Sequence, residues 1–337
     1  MSDQSAALLA FQKDKLQITA TKESALIKSR EDLRTRIRNK FVDNHSGYEP
    51  KFFIQGSYKN ETLIRTKEDT CDLDDGVYFL RECKVSSSTL QRWVHEAVDG
   101  HTSTPAEHKE KCVRVIFAGD YHIDFPVYRK PSDAPPELAT KSGGWQPDDP
   151  REFVEWFSKQ CDSGGQLRRI VRYMKAWADS RAFPMPSGLA LSILAARNQV
   201  LNDREDVALL NTLLSVRAAL TQTFTCPVPA LPYDDLFGGY DADQKAGLLD
   251  TLDHFIRDAS AAVKEDDEEN SGALWFAHLG PRFATAANTN GASSKKAKLI
   301  TAAASIVAGN VSTQADGTIS LNRNEGVPHK PHKFYGG

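Results

Sequence analysis

The chain has 337 residues, with 42 Lys and Arg against 45 Asp and Glu, a formal net charge of −3, and 40% hydrophobic residues. That length suffices for two domains or one bilobal unit, and the mixture excludes an intrinsically disordered chain. The slightly acidic balance lacks the Lys and Arg excess that strong non-specific nucleic-acid binding requires, so no DNA requirement is expected.

The opening residues MSDQSAALLAFQKDKLQITA contain no basic segment followed by an uninterrupted apolar core, so export is not expected. No window reaches the roughly 20 apolar residues of a membrane-spanning helix, and no membrane partner is expected. The five cysteines, Cys71, Cys83, Cys112, Cys161 and Cys226, are scattered without a C-x-x-C pair. That pattern fits a reducing cytoplasm, the expected location, and argues against structural zinc.

Residues 4–43 lack Pro and Gly, and Leu26, Leu33, Ile37 and Phe41 recur at helical spacing, which predicts one or two long helices. Gly47 and Pro50 then break the helix before a short strand, Lys51 to Ile54. Further strands are expected at Leu73 to Leu80, Cys112 to Phe117 and Tyr121 to Tyr128, with a helix over 88–99. Ala118-Gly119-Asp120 makes the last two strands a hairpin. The Pro- and Gly-rich stretch from Lys130 to Trp145 predicts a loop. Beyond it the pattern is helical: a start at Asp148-Asp149-Pro150, then helices near 165–182, 187–200, 205–223 and 243–264. The acidic run from Glu265 to Glu269 reads as a solvated loop, and periodicity fades from about residue 309. The resulting division is 1–45 as an N-terminal helical region, 46–140 as a sheet domain, 141–308 as a helical lobe and 309–337 as a flexible tail.

The chemistry concentrates in Gln55-Gly56-Ser57-Tyr58 and, sixteen positions after Gly56, Asp72-Leu73-Asp74. Side chains alternate along a strand, so Asp72 and Asp74 project from one face while Leu73 points to the other. Two close carboxylates repel unless a cation bridges them, and hard oxygen donors suit Mg²⁺ or Mn²⁺. Asp124, fifty positions beyond Asp74 in His122-Ile123-Asp124-Phe125-Pro126, supplies a third acid on a strand whose apolar neighbours face the other way. Three acids can hold two ions about 3.5–4 Å apart, a clamp for in-line phosphoryl displacement. Gly56 and Ser57 supply the complement: glycine lets backbone N–H groups approach phosphate oxygens, and the serine hydroxyl can donate to them.

These segments resemble the nucleotidyltransferase superfamily with the polymerase-β-like palm, and more narrowly the bacterial cGAS/DncV-like nucleotidyltransferases, or CD-NTases. Asp72-Leu73-Asp74-Asp75-Gly76 is the specific part; Val171 to Trp177 and Pro186 to Leu191 are also similar. The resemblance implies an α+β fold: a mixed-sheet palm with an N-terminal spine helix, facing a C-terminal helical lobe. It implies Asp72, Asp74 and Asp124 as catalytic ligands of two Mg²⁺ or Mn²⁺ ions, with Asp124 also helping to deprotonate the attacking hydroxyl. Ser57, with Lys175 and Ser187 from the helical lobe, would hold the triphosphate; Ser187 also reads as a helix N-cap. Gln55 and Tyr58 flank the turn and are candidate nucleotide contacts, with packing against the helical lobe open for Tyr58. Arg168, Arg169 and Arg172 are read either as lining a phosphate channel or as an exposed basic helix face. The implied activity is condensation of nucleoside triphosphates into a cyclic di- or trinucleotide that activates a partner effector in antiphage defence. A nucleotidyltransferase acting on an RNA or tRNA end and a non-catalytic nucleotide-binding scaffold are the alternatives. The ending Phe334-Tyr335-Gly336-Gly337 resembles a ubiquitin-like terminus, which implies attachment through Gly337 by an E1/E2-type conjugating partner.

Overall fold

The computed structural model describes residues 1–283 and three short strands, Ser312–Thr313, Ile319–Ser320 and Val327–Pro328. Gly337 lies outside the described residues.

Helix α1 (Ser5–Phe11) runs into a π-helical turn (Gln12–Leu16), the chain becomes extended at Gln17, and Thr19 caps α2 (Ala20–Asn44) by accepting from the Lys22 N–H at 3.2 Å. The cause of the break is tertiary. Leu8, Phe11 and Leu16 are buried in the core of the helical lobe, whereas Leu26, Leu33, Ile37 and Phe41 of α2 are buried against the sheet. The N-terminal region is thus divided between two cores.

The sheet is built on a central strand. After β1 (Pro50–Gln55), the single-turn helix α3 (Gly56–Lys59) and a loop lead into β2 (Cys71–Phe79). Next come α4 (Ser87–Val98), capped by Ser86, then β3 (Glu107–His108), β4 (Val113–Phe117), β5 (Tyr121–Phe125) and β6 (Val127–Arg129). Strand β1 pairs antiparallel with β2; β5 and β6 pair with it in parallel and in one register, Asp72 opposite His122, Asp74 opposite Asp124 and Val77 opposite Val127. Pro126, which has no N–H to donate, divides the strand expected over Tyr121 to Tyr128, although its carbonyl still accepts from Val77 N at 2.8 Å. The expected hairpin is present, with Val115 opposite Ile123. Two strands lie where a loop was expected: β7 (Glu137–Ala139) and β8 (Trp145–Pro147) extend the sheet beyond β6. Strand β8 forms the edge and β7 lies between it and β6; Leu138 and Ala139 are buried, and Pro147, which has no N–H to donate, is tolerated opposite Glu137 on the edge strand.

Alternation along β2 separates two environments. Leu73, Val77 and Phe79 face α2 and α4. Asp75 is fully buried on that side, where Arg34 of α2 donates two hydrogen bonds of 2.6 Å to it. Asp72, Asp74, Gly76 and Tyr78 lie on the other face.

The helical lobe comprises α5 (Pro150–Gln160), α6 (Gln166–Asp179), α7 (Gly188–Asn198), α8 (Glu205–Gln222), α9 (Ala242–Lys264) and α10 (Glu268–Leu279), around Trp177, Phe255 and Trp275. The acidic run is not all loop: Asp267 caps α10 through Asn270 N at 2.7 Å, and Glu268 and Glu269 fill its first turn, where carboxylates favour the positive helix end. Among the described residues, no helix is long and apolar enough to cross a membrane.

Candidate active site

Strand β1 delivers the chain to Gly56 in the left-handed region (φ 65°), where glycine carries little strain. Space demands glycine as well, since a Cβ there would lie 2.0 Å from Asp74 Oδ2. The Gly56-Ser57 turn therefore rests directly on one of the predicted acids.

Asp74 stands between Gln55 of β1 and Asp124 of β5 in the sheet register. Burial pushes its carboxyl up to about 7, assisted by the charges of Asp124 and Asp72 and opposed by Arg114 and Lys175. The three predicted acids are thus gathered within electrostatic reach of one another. Each of the outer two has a partner: His122 Nδ1 lies 2.9 Å from Asp72 Oδ1, and Arg114 donates twice to Asp124, at 2.7 Å each. The Arg114 guanidinium is held well above its ordinary range, first by the hydrogen bond to Asp124. Among the described residues, no group of three or more His, Cys, Asp or Glu side chains is arranged, as it stands, to hold a metal ion. A divalent ion nevertheless fits the donor set. These are hard carboxylate oxygens, and one carboxyl is raised by burial and then by acidic neighbours whose charge a cation would neutralise. Asp72 and Asp74 share one strand face for this purpose, and Asp124 has lone pairs beyond those that Arg114 uses.

Two residues were missing from the sequence reading. Arg114 sits opposite Asp124 in the hairpin, so counting back from the Ala118-Gly119-Asp120 turn would have found it. His122 lies in the quoted motif two positions before Asp124, hence on the same face.

Gln55 is placed differently from a nucleotide contact. Its amide is buried, Nε2 donating to Tyr128 Oη at 3.1 Å and Oε1 accepting from Tyr78 at 3.4 Å; Tyr128 in turn donates to Asp148 at 2.9 Å. Gly76 makes the room, since a Cβ there would lie 2.6 Å from Gln55 Oε1. Tyr58 packs against the sheet core and donates to Glu23 of α2 at 2.8 Å, on the spine helix and not on the helical lobe.

The helical lobe brings Lys175 of α6 to this face. Its ammonium donates to Thr62 O at 3.0 Å and Thr62 Oγ1 at 3.2 Å. Burial pushes it down to about 8, Arg172 adding to the effect and Asp74 opposing it. Ser187 caps α7, its oxygen accepting from Ala190 N at 3.2 Å, which leaves its hydroxyl hydrogen free to donate. The start of α7 lies against Lys175: a Cβ on Gly188, the residue after Ser187, would lie 3.1 Å from Lys175 Cε. Arg169 points away to Glu205 at 2.7 Å, whereas Arg168 and Arg172 grip the loop after α3.

Residues 50–128 match the family model described as cyclic GMP-AMP synthase DncV-like, nucleotidyltransferase domain. The cyclic GMP-AMP synthase of Escherichia albertii is 28% identical over 234 residues, 64% of this chain and 52% of the relative. That of Vibrio cholerae is 26% identical over 215 residues, 48% of this chain and 49% of the relative. Over its sheet domain the chain is thus similar to the DncV-like nucleotidyltransferases, the CD-NTases. It spans about half the length of these relatives. The crystal structure of Vibrio cholerae DncV with nonhydrolyzable GTP superposes with a TM-score of 0.74 at 20% identity, over 84% of this chain and 97% of that chain. The complex of the same protein with the linear intermediate 5′ pppA(3′,5′)pG gives 0.73 at 19%, over 84% and 97%. These likenesses establish the mixed-sheet α+β fold of this chain.

Proposed function

We propose that the chain is a cyclic oligonucleotide synthase that joins nucleoside triphosphates into a cyclic di- or trinucleotide and releases pyrophosphate. The observation that carries the reading is the Gly56-Ser57 turn seated on Asp74, with Asp72 and Asp124 beside it and Lys175 and Ser187 approaching from the opposite lobe. The relatives named cyclic GMP-AMP synthases support the product class.

Ser57 and its neighbouring N–H groups would bind the donor triphosphate from the palm, with Lys175 and Ser187 across the cleft. Orientation is the main contribution of such a cleft: a ribose 2′- or 3′-hydroxyl held in line with the α-phosphorus attacks it, a P–O bond forms, the bond to pyrophosphate breaks, and the hydroxyl proton passes to Asp124. Arg114 fixes the orientation of that carboxylate. Asp72, Asp74 and Asp124 would hold two divalent ions, Mg²⁺ or Mn²⁺, which when bound would polarise the α-phosphate and offset the charge of the leaving group. A second round with roles exchanged closes the ring.

In this reading the enzyme works in the cytoplasm without DNA, and its product activates an effector in antiphage defence. Conjugation of Gly337 by an E1/E2-type partner belongs to the same proposal and rests on the sequence of the tail. Incubation with four labelled nucleoside triphosphates and Mg²⁺ or Mn²⁺ tests the activity. Phosphatase-resistant cyclic products, formed equally with and without double-stranded DNA, are expected. Elongation of added RNA, or no turnover, would refute it. For the tail, deleting Gly336-Gly337 is expected to abolish conjugation by such a partner and to leave synthesis intact; only free Gly337 carboxylate by mass spectrometry of the co-expressed chain would refute conjugation.

A further inference from the structure

The basic face of α6 has a use beyond the residues assigned above. Arg168, Arg172 and Lys175 follow at spacings of four and three and so share one side of the helix. Arg168 Nε donates to Asn60 O at 3.3 Å, Arg172 Nη2 to Glu61 O at 2.6 Å, and Lys175 Nζ to Thr62 O at 3.0 Å. Three cations of the helical lobe thus take three consecutive carbonyls of the palm. The N–H groups of the same residues bind back into the phosphate turn: Asn60 N to Gly56 O at 3.2 Å, Glu61 N to Tyr58 O at 3.1 Å and Thr62 N to Ser57 O at 2.9 Å.

The middle of this ladder is under strain. Glu61 has φ 56°, a left-handed conformation that a residue with a Cβ holds only when its surroundings enforce it. Arg172 enforces it. Its guanidinium is buried, its other terminal nitrogen donates to Gln12 Oε1 at 3.0 Å, and its buried Nε has no hydrogen-bond partner. With both ends engaged, Arg172 is not free to meet a phosphate.

We propose that Arg172 is a positioning residue for the triphosphate subsite, holding the loop that closes the Gly56-Ser57 turn in register with Lys175 and Ser187. The inference rests on the reading that those residues receive the triphosphate. It makes the helical lobe a determinant of the turn's shape as well as a wall of the cleft. Without the clamp, Glu61 relaxes toward ordinary backbone angles, and the shift passes through the Ser57 carbonyl to the turn.

The test measures binding of inorganic tripolyphosphate and of nonhydrolysable ATP and GTP analogues by titration calorimetry with Mg²⁺, alongside steady-state kinetics. In Arg172→Met, both affinities are expected to fall about tenfold or more and KM to rise in step, since a charge-assisted hydrogen bond is lost, while kcat at saturation stays within about threefold. Arg172→Lys, which keeps one charged donor, recovers part of the affinity. Glu61→Gly in the Arg172→Met background also recovers part of it, because glycine takes the left-handed angle without the clamp. Unchanged affinity in Arg172→Met would overturn the inference. So would a parallel loss of affinity, kcat and thermal stability that neither rescue improves. A wild-type chain that binds neither tripolyphosphate nor the analogues would refute the phosphate-site reading itself, and the inference with it.

Discussion

Replacing Asp74 by Asn tests the acidic site through stability as well as through turnover. The carboxyl is raised from the ordinary 3.8 to about 7, chiefly by burial and then by Asp124 and Asp72. Between those values the folded chain holds a proton that the unfolded chain has released, so stability is full below pH 4 and falls as pH rises, by about 1.4 kcal/mol per unit, until the folded group ionises near pH 7. The shift of about three units sets an upper bound of about 4 kcal/mol; because part of the carboxylate remains solvated, about 2–4 kcal/mol is expected. Asparagine mimics the protonated acid and carries none of this penalty. Denaturant unfolding in a chelator should therefore show Asp74→Asn gaining on wild type as pH rises from 5 to 8, with little further change above. Adding Mn²⁺ at pH 8 should stabilise wild type and leave the variant nearly unmoved, while the variant makes no product. A difference that stays flat from pH 5 to pH 8 would refute the raised Asp74 carboxyl, and with it the crowding of that group by burial and by its acidic neighbours.

The remaining tests address glycines and the lysine. Gly56→Ala places a methyl 2.0 Å from Asp74 Oδ2 at φ 65°, so turnover should fall by at least about a hundredfold and denaturant stability by about 1–3 kcal/mol. Gly188→Ala puts its Cβ 3.1 Å from Lys175 Cε while improving the start of α7; the nucleotide KM should rise severalfold, with denaturant stability unchanged or higher by up to about 1 kcal/mol. Lys175 is pushed down to about 8, so calorimetric affinity for tripolyphosphate should be full below pH 8 and decline above it as the ammonium loses its proton, and Lys175→Arg should flatten the decline.

The fold and the acidic residues were legible because each depends on a short period. Asp72, Asp74 and Asp124 declare themselves by alternating with Leu73, Ile123 and Phe125, all fully buried, and a strand period of two leaves their face no freedom. The partners of the polar groups were not legible, because they are settled by packing between segments distant in sequence. Nothing local to Gln55 shows that Gly76 opens a slot for its amide, or that Tyr78 and Tyr128 wait at the bottom. Nothing in the run of residues 4–43 marks the break at Gln17, since its cause is the separate burial of Phe11 and Leu26 in two cores. The basic residues of α6 show the limit most clearly. Composition and spacing give Arg168, Arg169 and Arg172 equal standing, yet one pairs with Glu205 and two hold backbone carbonyls of the palm. A carbonyl is present at every residue and has no letter in the sequence. Side chains that act on backbone are therefore the part of a site that motif reading misses first, and here they join the two lobes beside the Gly56-Ser57 turn.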